Sequence, residues 1–196
     1  MRKKSHILLA GYLADQMKTA HSLQLHRKAF CLGSILPDCK PSFLTTRHEY
    51  FGTFENIQDR IRFLVENGSQ VCNERVFWRR FGEVIHYIAD YFTFPHNKTF
   101  HGTFMEHNHY EKELKNGLKK CIQNGEAAVL LKDEQTIHFG NLQELISYVE
   151  RKHADYLRKV RTIEEDIRYI LSVCLQVVRG MFELCMSHGN FEFTVA

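Results

Sequence analysis

Val84-Ile85-His86-Tyr87-Ile88-Ala89-Asp90-Tyr91-Phe92-Thr93-Phe94-Pro95-His96 decides the reading of this chain. The stretch belongs to a helix expected over Glu74 to Phe94, and its many aromatic residues mark that helix as central and buried. His86 and Asp90 stand at i and i+4, so both side chains leave the same face one turn apart. An unpaired carboxylate in so apolar a run is costly, and Asp90 therefore requires a metal or a buried hydrogen-bond partner. Pro95 ends the helix and His96 adds an imidazole.

A second pair follows in His107-Asn108-His109-Tyr110-Glu111, where His107 and Glu111 repeat the one-turn spacing on a helix expected over Phe104 to Gln123. Imidazole and carboxylate in these proportions suit zinc or a similar divalent ion. His109 falls off the His107/Glu111 face, and Lys115 offers Glu111 an ordinary surface pairing instead.

Working outward, helical periodicity dominates. Ile7, Leu8, Tyr12, Leu13 and Met17 form a first amphipathic segment, and a short helix around Leu25 to Leu32 ends at Gly33. Pro41 to Thr53 reads as a loop, and Phe54 to Glu66 as a helix stopped by Asn67-Gly68. Asn124 to Gly140 is the least helical stretch, a loop or hairpin-like excursion. Two long helices open with capping patterns at Asn141-Leu142-Gln143-Glu144 and Thr162-Ile163-Glu164-Glu165. Strand-like alternation is confined to Phe191 to Val195. The expected architecture is all-α, a single-domain multi-helix bundle over residues 1–196, with a motif-bearing part at 4–115 and C-terminal helices at 141–188 completing it.

Composition sets the outer bounds. At 196 residues and 44% hydrophobic content the chain has enough apolar material for one core. A net charge of +3 with interspersed signs gives no electrostatic basis for a stable nucleic-acid partner. Six cysteines are scattered without a CxxC pair, which argues against a zinc ribbon and for reduced thiols in the cytoplasm. Met1-Arg2-Lys3-Lys4 mimics the start of a signal peptide. Its apolar part is short and soon meets Asp15 and Lys18, so a retained N-terminus is expected, and no run approaches a transmembrane segment. His21, His26, His138, His153 and His188 are read as ordinary surface or core histidines, and Tyr87, Tyr91, Phe92, Phe94 and Trp78 as packing.

Further ligand-type residues lie upstream: His6 on the first helix, Asp38 after Gly33-Ser34-Ile35-Leu36-Pro37, and His48 in Thr46-Arg47-His48-Glu49. With these in place the chain resembles the zinc-dependent phospholipase C family, related to the fungal single-strand-specific zinc nucleases. The resemblance rests on Ser5-His6, Asp38, His48, then H-x3-D-x5-H at His86, Asp90 and His96, and H-x3-E at His107 and Glu111 with Tyr110 before the Glu.

The resemblance implies an all-helical fold holding two to three zinc ions, with other divalent metals as substitutes. Asp38, His48, His86 and Asp90 would hold the first, and His96, His107 and Glu111 the second. His6 and a bridging Asp90 would hold the third. In the family an N-terminal Trp completes that third site; here Met1 stands five residues ahead of His6, and its amine is the candidate. The implied activity is phosphoric ester hydrolysis of the phospholipase C type, a phosphodiesterase using a zinc-bridging hydroxide, with Asp38 orienting that hydroxide or accepting its proton. The substrate would be a phosphoester such as a phospholipid. The alternatives are a nuclease or phosphomonoesterase on the same site, or a non-catalytic zinc-binding relative. Cys39 follows Asp38 where a phospholipase would carry an aromatic residue, so the headgroup is not legible.

Overall fold

The structure, a computed structural model, describes residues 1–39, 49–71, 73–132, 134–159 and 162–189. Among these residues there are nine α-helices and no strand, as the periodicity predicts. They are α1 (Lys3–Gln16), α2 (His21–Leu25), α3 (Arg27–Gly33), α4 (Tyr50–Val71), α5 (Glu74–Tyr91), α6 (Phe104–Gln123), α7 (Glu126–Leu130), α8 (Leu142–Arg158) and α9 (Ile163–Ser187). Two 3-10 turns, Pro37–Cys39 and Phe94–His96, carry site residues between them.

α5 runs through the middle, against α1, α3, α4 and α9. Asn73 caps its first turn by accepting from the Val76 amide at 2.9 Å. Phe77, Trp78, Phe81, Val84, Ile85, Ile88 and Ala89 are all sealed in the core. Tyr91 and Phe92 are buried as expected, whereas Tyr87 and Phe94 are only partly covered. α9 supplies the other large apolar surface, Ile170, Leu171, Val173, Cys174, Val177, Val178 and Met181 among it. Contrary to the sequence expectation, α9 is long and apolar enough to cross a membrane by length and composition alone. Its most apolar stretch is 72% buried inside the helical assembly, which is the behaviour of a core helix.

Several boundaries differ from expectation for identifiable reasons. α4 begins at Tyr50, inside the expected loop, and runs through Asn67-Gly68 to Val71. Gly68 stays helical because it is a packing site: an added Cβ would come within 2.7 Å of the Phe77 ring. α5 ends at Tyr91 rather than Phe94, since Phe94 precedes a proline and Thr93 is already extended. The expected excursion at 124–140 contains the short helix α7. Leu25 to Leu32 divides into α2 and α3 at His26. Asn141 and Thr162 do cap α8 and α9, accepting from Glu144 and Glu165 amides. The complete reciprocal capping box lies elsewhere, at Thr103 and Glu106 of α6. The alternation at Phe191 to Val195 lies outside the described residues.

The contact that matters most for the site is α3 against α5. A Cβ on Gly33 would sit 1.9 Å from the Arg79 carbonyl oxygen, and one on Gly82 would sit 2.1 Å from the Phe30 carbonyl oxygen. The two backbones therefore touch, which brings the chain after α3 onto the His86 face of α5. On the opposite flank His153 of α8 is buried, stacked on Tyr50 with ring centroids 3.9 Å apart, and bonded through Nε2 to Asn97 Oδ1 at 2.9 Å.

Gly82→Ala is expected to destabilise the fold by about 1–3 kcal/mol through overpacking. Gly52→Ala, where nothing lies within 4 Å, is neutral or slightly stabilising; urea melts of the two variants distinguish them. Acid supplies a second check. Burial holds the His153 pKa down, at about 4, against an ordinary 6.5. The unfolded chain thus takes up this proton first, so the stability contributed is full above pH 6.5 and lost as pH falls toward 4. The slope is up to about 1.36 kcal/mol per pH unit. Between pH 7 and 5, metal-free His153→Gln protein should lose less stability than the wild type.

Candidate metal centre

Five parts of the chain converge on one place. α1 brings His6, the turn after α3 brings Asp38, and α5 brings His86 and Asp90. The turn at Phe94–His96 brings His96, and α6 brings His107 and Glu111. His48 lies outside the described residues. The donor atoms of His6, Asp38 and His86 lie within 4.8 Å of one another, and so do those of His96, His107 and Glu111.

Asp90 stands between the two groups, wholly buried. Its Oδ2 is 3.3 Å from His86 Nε2 and 3.6 Å from His96 Nδ1, while Oδ1 is 3.3 Å from His6 Nε2. The Met1 amine donates to Oδ1 at 2.5 Å, and it also lies 3.2 Å from Glu111 Oε1 and 3.1 Å from His96 Nε2. Arg2 anchors this end of the chain to α6 by donating to the Asn108 carbonyl at 2.9 Å.

The electrostatics follow from that crowding. Burial by itself would raise the Asp90 carboxyl, but His96, the Met1 amine, His86 and His6 hold it well below the usual carboxylate range. Burial opposes the charge on the Met1 amine too. The carboxylates of Asp90 and Glu111 outweigh it and raise the amine to about 10. Glu111 is likewise held down against burial, chiefly by the amine, His107 and His96. His6, buried and pressed against His86 with ring centroids 3.9 Å apart, is pushed down to about 3.

The donors fit a divalent metal on observations of the structure itself. Among the described residues neither nitrogen of buried His6 has a hydrogen-bond partner, although its Nε2 lies 3.3 Å from Asp90 Oδ1. His86 Nδ1 is committed to donating to the Ser34 carbonyl at 2.8 Å. That leaves Nε2 facing Asp90 Oδ2 at 3.3 Å and Asp38 Oδ1 at 3.7 Å, an arrangement that a shared cation satisfies. Neutral imidazoles and carboxylates are the ligand set zinc prefers. In this structure the Met1 ammonium supplies part of the positive charge that the carboxylates require.

Exposure is graded across the site. His6, His86 and Asp90 are sealed, His96 and Glu111 retain roughly a tenth of their side-chain surface, and His107 retains 31%. The approach from solvent is therefore along α6. His101 and His109 are both exposed, and Glu111 turns toward His96 and His107.

Supporting groups escaped the sequence reading. The Ser34 carbonyl, which sets the tautomer of His86, has no side-chain signature. Gly33 reads only as the end of a helix and Gly82 is not singled out, and nothing in one sequence pairs them.

The described residues form a helical fold that gathers histidines and carboxylates into two potential metal-ligand groups. A family profile described as zinc-dependent phospholipase C matches residues 5–163, and the chain belongs to that family. Comparison with curated proteins and with solved structures gave no match.

The Met1 contacts generate a prediction. Acetylating the amine, or extending the chain before Met1, withdraws a buried cation from Asp90 and Glu111. Breaking a buried pair in this way costs about 3–5 kcal/mol, so the metal-free form should melt several degrees lower than protein with a free Met1 amine.

Proposed function

We propose that this chain is a zinc-dependent phosphodiesterase of the phospholipase C type, cutting the glycerol-side phosphoester of a phospholipid or a related diester. The observation that carries the proposal is the continuity of the two donor groups through the single buried carboxylate of Asp90. Asp38, His86 and Asp90, with His48, are the proposed ligands of a first zinc. His96, His107 and Glu111 are those of a second, and His6, Asp90 and the Met1 amine those of a third. Zinc at such sites lowers the pKa of water to about 7 and neutralises the non-bridging oxygens of a phosphoryl group.

The residues divide the remaining work. Asp90 links the two groups, because its Oδ1 faces His6 and its Oδ2 faces both His86 and His96. Asp38 is mostly covered but reaches the site edge, its Oδ1 beside His86, and takes the role of orienting the attacking water or accepting its proton. The Ser34 carbonyl keeps His86 in the tautomer that presents Nε2. The graded exposure toward His107 gives a bulky diester an approach to the α6 side while the buried end stays dry.

Cys31, Cys39, Cys121, Cys174 and Cys185 are free thiols, which supports a reducing compartment such as the cytoplasm.

The test is turnover of short-chain phosphatidylcholine and of a chromogenic diester by zinc-loaded protein with a free Met1 amine. Chelation should abolish the activity and zinc restore it. Asp38→Asn should lower kcat by about 10²–10⁴-fold, the range for losing a positioned acid–base group. Faster cleavage of single-stranded DNA than of either diester would reassign the site to a nuclease. Full zinc occupancy with no turnover of any of them would make the chain a non-catalytic binder.

A further inference from the structure

Asp166 is wholly buried at the start of α9, three residues beyond the segment that the family profile matches. It belongs to neither donor group, yet its carboxylate accepts three hydrogen bonds. Tyr156 of α8 donates to Oδ1 at 2.6 Å. The Phe94 amide donates to Oδ2 at 2.8 Å, and the Tyr110 hydroxyl donates to the same oxygen at 3.0 Å. Phe94 opens the 3-10 turn that ends in His96, and Tyr110 immediately precedes Glu111. One oxygen therefore grips the backbone behind one proposed ligand and the side chain beside another.

The same turn is held from its other end. Asn97 donates through Nδ2 to the carbonyls of Tyr91 at 3.1 Å and Thr93 at 3.0 Å, and its Oδ1 meets His153 Nε2 at 2.9 Å. The turn has only three residues and no α-helical ladder of its own, so its orientation depends on these outside bonds.

We infer that Asp166 is a positioning residue for the group formed by His96, His107 and Glu111, fixing the turn that bears His96 against the α6 segment that bears Glu111. The inference rests on the metal-site reading above. Burial raises the Asp166 carboxyl to about 6 while its three donors pull the other way. Its two oxygens together accept all three bonds, as a carboxylate can. Asparagine at this place keeps one acceptor oxygen and replaces the other by an NH2 group, so the three bonds to two acceptor oxygens are no longer all kept.

Zinc titration by calorimetry, starting from metal-free protein, tests this. Asp166→Asn should weaken one zinc by about 10–100-fold, the usual loss when a group supporting a ligand is removed. The affinities for the other zinc ions should be unchanged. Tyr110→Phe removes one of the three donors and should shift the same zinc in the same direction by a smaller factor, and it decides the matter if Asp166→Asn does not fold. Asn141→Ala, which loses a helix cap away from the site, should lower stability without changing any zinc affinity. Wild-type zinc binding with undiminished affinity in both Asp166→Asn and Tyr110→Phe would overturn this inference alone. Wild-type protein that binds no zinc would overturn the metal-site reading with it.

Discussion

A carboxylate sealed in the core is the constraint around which the rest of this protein is arranged. Asp90 sits where α5 is most apolar, and an isolated ion there would cost several kcal/mol. Every group that faces it lessens that cost: His86 from its own helix, His96 from the following turn, His6 from α1 and the Met1 amine from the start of the chain. The need to compensate one charge thus draws together segments almost ninety residues apart in sequence. A divalent cation would meet the same need, and positive charge held in such a setting is what the proposed phosphoryl chemistry would use to stabilise developing negative charge.

The arrangement depends on two kinds of contact. Backbone touches backbone at Gly33 and Gly82, which brings Asp38 and the Ser34 carbonyl to His86. Polar groups then hold what packing alone leaves free, with Arg2 on Asn108, Asn97 on the C-terminal end of α5 and Asp166 on the turn before His96. The C-terminal helices carry none of the proposed ligands, yet α8 and α9 contribute His153, Tyr156 and Asp166 to the scaffold behind one donor group.

Much of this was legible before any coordinates. The H-x3-D and H-x3-E spacings place each pair on one helical face because the α-helix repeats every 3.6 residues, and local geometry suffices for that inference. The long amphipathic helices and the capping at Asn141 and Thr162 are equally local. Harder to read were the places where a tertiary contact overrode a local signal. Asn67-Gly68 looked like a stop, but Gly68 continues the helix because Phe77 packs where its side chain would be. His153 looked ordinary, and its part in holding Asn97 comes from α8 bringing its ring beside Tyr91 and Phe92 at the end of α5.

The sequence by itself determined an all-helical fold and which imidazole and carboxylate side chains stand at one-turn spacing, since these follow from periodicity along the chain, while the family came from the resemblance of its ordered motifs. Tertiary structure alone decided that two donor groups share Asp90, that the Met1 amine lies between Asp90 and Glu111, and that Asp166 stands behind His96 and Tyr110. The physical reason is that burial and charge compensation are properties of neighbours in space. No spacing along the chain encodes which distant groups will enclose a given carboxylate.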